Sequence, residues 1–134
     1  MTGSVAPNHL DNNFTQEGDA VSLRSRQVED GAKEAELLIL RAVIDGLPDL
    51  IYVKDTQSRF LLANPAQRKF LSGKPDADLI GDTDFSFFPP ETPTAFFKDE
   101  QEVIRTGVAV VSQPERMQDF DGNDVWLLTT KIPL

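Results

Sequence analysis

The sequence predicts an α+β domain built on one antiparallel sheet, and three observations predict it. Two pairs of strand-like segments, each joined by a turn cluster, lie at 50–63 and 108–132. A run of short, proline-punctuated helical segments separates the pairs, and an amphipathic segment of helical period precedes the first. Strands grouped into hairpins around a helical middle bury their apolar faces as a sheet with helices packed on one side. A chain of 134 residues is long enough for one such domain with a core of its own.

Residues 1–31 read as a flexible tail. Asn8, Asn12, Asn13, Gln16, Gly18 and Gly31 dilute the few large apolar residues, and such a stretch offsets little of its ordering entropy. Within it Val21-Ser22-Leu23 alternates briefly. From Ala32 to Leu47 the spacing turns helical: Leu37, Leu40, Ile44 and Leu47 recur at steps of three, four and three, widened by Leu38, Ile39 and Val43. Gly46 and Pro48 end it. This stripe suits either a core helix or a helix that pairs with a second copy of the chain. The wide stripe leaves room for both roles.

Leu50–Lys54 is rich in β-branched and aromatic residues and reads as a strand. Asp55-Thr56-Gln57-Ser58 is a turn, and Arg59–Ala63 the returning strand. Asn64-Pro65-Ala66-Gln67 opens a helix: asparagine as cap, proline at the first helical position, and glutamine where a capping box wants it. That helix ends near Gly73. Asp76–Leu79 reads as another capped helical turn. Thr83–Pro90 crowds three phenylalanines beside a double proline that forbids a long helix. Thr92-Pro93 starts the next helix, with Phe96, Phe97, Val103 and Ile104 as its stripe and Thr106-Gly107 as its end. Val108–Met117, kinked at Pro114, and Val125–Ile132 form the second hairpin around Asp121-Gly122.

Composition excludes several functions. Thirteen basic against 22 acidic side chains give a net charge of −9, which disfavours nucleic acid and direct contact with anionic membrane surfaces. No cysteine is present, so there is no disulfide, thiolate metal site or cysteinyl chemistry. The single histidine, His9, leaves little for metal binding or histidine catalysis. The carboxylates Asp76, Asp78, Asp82 and Asp84 lack the spacing of a calcium loop and suit turns and caps. No phosphate-binding glycine loop or nucleophile elbow appears. The sequence therefore reads as a non-enzyme without a metal site. It carries neither a signal peptide nor a run of apolar residues long enough to span a bilayer, so the cytoplasm is the expected compartment.

Taken in order, Leu47-Pro48-Asp49-Leu50-Ile51-Tyr52-Val53-Lys54-Asp55, Arg59-Phe60-Leu61-Leu62-Ala63-Asn64, Leu79-Ile80-Gly81, Thr83-Asp84-Phe85, Phe88-Pro89 and Asp121-Gly122 followed by Trp126 resemble a PAS domain. The resemblance covers roughly 32–134, with 32–47 as an N-terminal helix and 48–134 as the core. It is greatest to PAS domains at the front of bacterial sensor histidine kinases and diguanylate cyclases. It implies a five-stranded antiparallel sheet cupping short helices, with a ligand cavity between them. It also implies homodimerisation and relay of a signal to an output domain outside this chain, a kinase or cyclase. The sequence departs from the family in lacking its last strand, which would lie mid-sheet. This suggests a C-terminal truncation, or a substitute strand such as Val21–Val28.

Two familiar cofactors fit poorly. Covalent flavin adducts and coumarate attachment need a cysteine, and the family's haem usually takes a histidine in the helical region, whereas His9 lies in the tail. Non-covalent flavin remains compatible with the sequence. The candidate ligand-binding residues are Tyr52, Phe60, Arg68, Asp84, Phe85, Phe88, Phe97, Trp126, Leu128 and Thr130. Leu37, Leu40, Ile44 and Leu47 are the candidate dimer seam. A filled core serving only dimerisation is the alternative.

Overall fold

The computed structural model describes residues 13–134. His9 and the first part of the expected tail lie outside the described residues. The chain divides at Arg41/Ala42 into two units. One helix, α1 (Asn13–Gly46), runs from the first unit into the second.

Residues 13–31, expected as a tail, are therefore helical, and Val21–Val28 is helix rather than a substitute strand. Helix formers explain the difference. Ala20, Leu23, Arg24, Arg26, Gln27 and Glu29 surround the glycines, and a single internal glycine costs only about 1 kcal/mol. Once the apolar segment 37–44 has nucleated a helix, adding each further residue is cheap.

Within the second unit, β1 (Tyr52–Lys54) and β2 (Phe60–Ala63) form an antiparallel hairpin. Helix α2 (Pro65–Ser72) follows directly, then a 3-10 turn at Asp84–Ser86 and helix α3 (Glu91–Thr106). The second hairpin is β3 (Val110–Gln118) and β4 (Asp124–Lys131). Asp76–Leu79 does not form the expected helical turn: Asp78 accepts a hydrogen bond from Ile80 N instead, bending the chain locally.

The expected single sheet is two separate two-stranded sheets, β1–β2 and β3–β4. Among the described residues no strand joins β1 to β4. A groove of about 520 Å³ separates them, bordered by Ile51, Val53, Val103, Ile132 and Leu134.

The buried cluster is small. Phe60, Ala63, Leu71 and Leu79 are its centre, with Tyr52, Phe70, Phe87 and Phe88 packed around it. Phe60 sits edge-on to both Tyr52 and Phe87. On α3 the inward stripe is Pro93, Phe96 and Val103, whereas Phe97 and Ile104 are exposed. A seven-residue step marks a line along a helix but not which line faces inward, and the line through Phe97 and Ile104 faces solvent.

Asn64 ties the elements together. It is fully buried. Its Oδ1 accepts from Ile51 N at 3.1 Å and caps α2 by accepting from Gln67 N at 3.0 Å. Its Nδ2 donates to the carbonyls of Ile44 at 3.0 Å, Asp49 at 2.9 Å and Leu47 at 3.4 Å. One side chain thus fixes the end of α1, the lead into β1 and the start of α2.

Helix α2 ends on Gly73, at φ 77°, whose N–H donates to Lys69 O. The β3–β4 turn docks there, with Phe120 N donating to Phe70 O at 3.0 Å. A Cβ on Gly73 would lie 2.6 Å from two carbons of the Phe120 ring. Gly73→Ala is expected to cost about 1–2 kcal/mol, from the left-handed backbone and the displaced ring together. Urea unfolding followed by circular dichroism measures it. Adding Phe120→Ala should recover the steric part, and identical losses with and without the ring would contradict the clash.

Candidate functional site

Alternation along β1 puts Tyr52 and Lys54 on one face. That face meets α2, α3 and the inner side of β3–β4 across a cavity of about 570 Å³. Its wall includes Tyr52, Lys54, Gln67, Phe70, Asp84, Phe88, Phe96, Glu115, Met117, Leu127, Thr129 and Lys131.

Two ion-pair clusters reach this wall through Lys54, Asp84, Glu115 and Lys131, while Glu100 and the half-exposed Asp99 stand outside it. Lys54 Nζ lies 2.5 Å from Asp84 Oδ2 and 2.7 Å from Glu100 Oε1. It also sits 5.0 Å from the Tyr52 ring centre and 4.9 Å from that of Phe60. The Ser58 hydroxyl donates to the other oxygen of Glu100. Across the cavity, Lys131 Nζ donates to Glu115 at 3.0 Å, with Asp99 at 3.7 Å. It lies 5.3 Å from the Phe96 ring centre. Thr129 Oγ1 donates to Glu115 at 2.7 Å.

Each ammonium group is thus shared by two carboxylates and lies near aromatic ring centres. Burial outweighs the lysine's pull on Asp84 and raises its pKa above the usual aspartate value, with Glu100 adding to the rise. The Tyr52 phenol is raised well above its ordinary value by burial and, after that, by Glu100, Asp84 and Glu115. Tyr52 is therefore a neutral hydroxyl donor.

Gln67 makes no capping box. Its backbone N–H serves the cap, while its side chain faces the cavity, 5% exposed, with Oε1 buried and accepting no hydrogen bond.

Of the residues chosen from sequence, the structure places Tyr52, Asp84 and Phe88 in the cavity wall. Phe60 is core, fully buried behind Tyr52. Arg68 donates through Nε to Ala63 O and is spent on the α2–β2 corner. Phe85 and Phe97 are 54% and 42% exposed and do not line it. Trp126, Leu128 and Thr130 border the cavity only from the exposed face of β4. The inward residues are their neighbours Leu127, Thr129 and Lys131, so the strand's parity is opposite to that expected.

The sequence reading missed Lys54, Gln67, Glu100, Glu115 and Lys131. The available signal was alternation: Lys54 stands two residues from Tyr52, and Lys131 two from Thr129. Of the proposed dimer seam, Leu37, Leu40 and Leu47 are exposed and Ile44 is half-buried.

Among the described residues no cluster of acidic or histidine side chains could hold a metal ion, and no helix is long and apolar enough to cross a membrane.

A family model described as the PAS fold matches residues 44–134. The chain is also 31% identical over 108 residues to the virulence sensor protein BvgS of Bordetella pertussis, an alignment covering 74% of this chain. The chain spans about 8% of the length of that relative.

Proposed function

The chain belongs to the PAS fold family, and from that premise we propose that it is the cytoplasmic sensory module of a multidomain signalling protein. It holds a small molecule between its two hairpins and relays occupancy through α1 to a kinase or cyclase output domain. The similarity to a segment of a virulence sensor protein supports a sensory role.

The observation that carries the ligand is the cavity itself. Its 570 Å³ falls in the range of small-molecule sites, and its wall mixes aromatic rings with a few polar groups. A core that existed only to be filled would bring apolar side chains together there. Instead Gln67 keeps a buried carbonyl oxygen without a partner, which is costly unless something supplies one. Native mass spectrometry of gently purified protein tests this. A bound mass lost on denaturation is the expected result, and a bare mass in every preparation would favour a structural module.

The relay rests on α1. Leu37, Leu38, Ile39 and Leu40 are each more than half exposed, four consecutive apolar side chains on a helix in water. Pairing with the same helix of a second copy would cover them. A ligand that favours one of two helix pairings would shift the balance between them. Leu37→Glu with Leu40→Glu is expected to turn a dimer into a monomer in sedimentation equilibrium. An unchanged mass would remove this helix as the seam.

A further inference from the structure

The charges around the cavity point to a ligand class. The cavity lining holds three carboxylates, Asp49, Asp84 and Glu115, against two ammonium groups, Lys54 and Lys131, while Glu100 and Asp99 pair with the same lysines from outside it. Lys54 already donates to Asp84 and Glu100, and Lys131 donates to Glu115 with Asp99 at 3.7 Å, so carboxylates outnumber each ammonium group. A carboxylate or phosphate ligand would add to an excess of negative charge in a partly desolvated site, where like charges repel strongly. The unmet demand is for hydrogen-bond donors: Gln67 Oε1 is a buried acceptor without one. Two rings of the wall already accommodate positive charge, since Lys54 sits 5.0 Å from the Tyr52 ring centre and Lys131 5.3 Å from that of Phe96.

We propose that this cavity binds a small organic cation carrying N–H donors, an aliphatic amine or diamine, which donates to Gln67 Oε1 and offsets the negative excess of a lining that holds Asp49, Asp84 and Glu115 against Lys54 and Lys131. The inference rests on the small-molecule reading above and names its ligand class. Aliphatic length suits the apolar part of the wall, Phe70, Phe88, Met117 and Leu127. The ammonium end suits the polar part, where Gln67 Oε1 lacks a donor.

Three four-carbon probes of matched length separate the alternatives: 1,4-diaminobutane, 1,4-butanediol and succinate, titrated calorimetrically into the 134-residue chain. Saturable binding of the diamine alone is expected. Because the chain carries a net charge of −9, loose surface association of any diamine is separated by variants. Gln67→Met keeps the side-chain volume and removes the amide, and Asp84→Asn removes one carboxylate. Each is expected to weaken diamine binding at least tenfold while the far-UV circular dichroism spectrum stays unchanged. Should Gln67→Met fail to fold, Asp84→Asn gives the same discrimination.

Diamine affinity that survives the variants unchanged overturns the site. Preferential binding of succinate or the diol overturns the ligand class and leaves the small-molecule reading standing. No binding of any probe, to protein that nonetheless carries a co-purified neutral or anionic compound, overturns the class alone. No binding together with a bare native mass overturns both.

Discussion

Asn64→Ala is expected to remove about 3–5 kcal/mol of folding stability, a large share of what a domain of this size possesses. The side chain is fully buried and makes five hydrogen bonds. Truncation deprives the Ile51 and Gln67 N–H groups of their acceptor, and the carbonyls of Ile44, Leu47 and Asp49 of a donor. Loss of the helix cap alone costs about 1 kcal/mol, and each buried group left unpaired adds to it. Asn64→Ser separates the contributions. It keeps a capping oxygen for α2 but is too short to reach the carbonyls that end α1 and lead into β1. Its loss should fall between wild type and alanine. The urea midpoint, followed by far-UV circular dichroism, measures both. An alanine variant within 1 kcal/mol of wild type would mean that water replaces the asparagine without penalty.

Lys54→Met is expected to cost about 3–5 kcal/mol near neutral pH, because it leaves Asp84 and Glu100 as neighbouring carboxylates without the ammonium that pairs with both, Lys131 acting on Asp84 only at longer range. Its pH dependence identifies the cause. Asp84 has a pKa raised in the folded state above the ordinary value of 3.8. The native state therefore binds this proton more tightly than the unfolded chain does. Stability from this group is fully present below 3.8 and is lost as pH rises through the raised folded value. Without Lys54 the carboxyl titrates higher still, so the deficit of the variant should shrink as pH falls from 7 toward 4. Asp55, Asp119 and Asp124 act in the opposite sense. Their pKa values are lowered by hydrogen bonds to backbone or to Arg59, Asn123 and Arg116, so they withdraw stability as pH falls through their folded values. These groups are common to both proteins, and the difference between variant and wild type isolates the buried cluster. A deficit that stays constant from pH 7 to 4 would show that the lysine contributes packing rather than charge compensation.

Local chemistry made most of the elements readable in the sequence. Asparagine followed by proline marked the start of α2, Gly73 and Gly107 marked two helix ends, and Asp121-Gly122 marked the second hairpin turn. Each works through a backbone rule that needs no knowledge of the remaining fold. The length of α1 was not readable, since the polar, glycine-containing stretch 13–31 satisfies the composition of a tail as well as that of a helix. The cavity was readable only in part. Tyr52, Asp84 and Phe88 stood out as aromatic or acidic residues in the right segments. Lys54, Glu115 and Lys131 did not, because charged residues in strands are usually the solvated half of an alternation. What reverses that expectation is long-range: a carboxylate 30 or 46 positions away for Lys54, and 16 for Lys131. The parity error on β4 has the same origin. Trp126 and Leu128 are the more apolar set, yet the outer face carries them, and only the pairing of Glu115 with Lys131 and Thr129 shows which side is inside.

That outward tryptophan has an optical consequence. Trp126 is the sole tryptophan of the chain and is 70% exposed in the folded state. Its emission should already be red-shifted and open to collisional quenchers before any denaturant is added. Intrinsic fluorescence would then report the outer surface of the β3–β4 hairpin and pass almost silently through the loss of the interior. The lone tyrosine, Tyr52, is the chromophore that sits where the ligand would arrive.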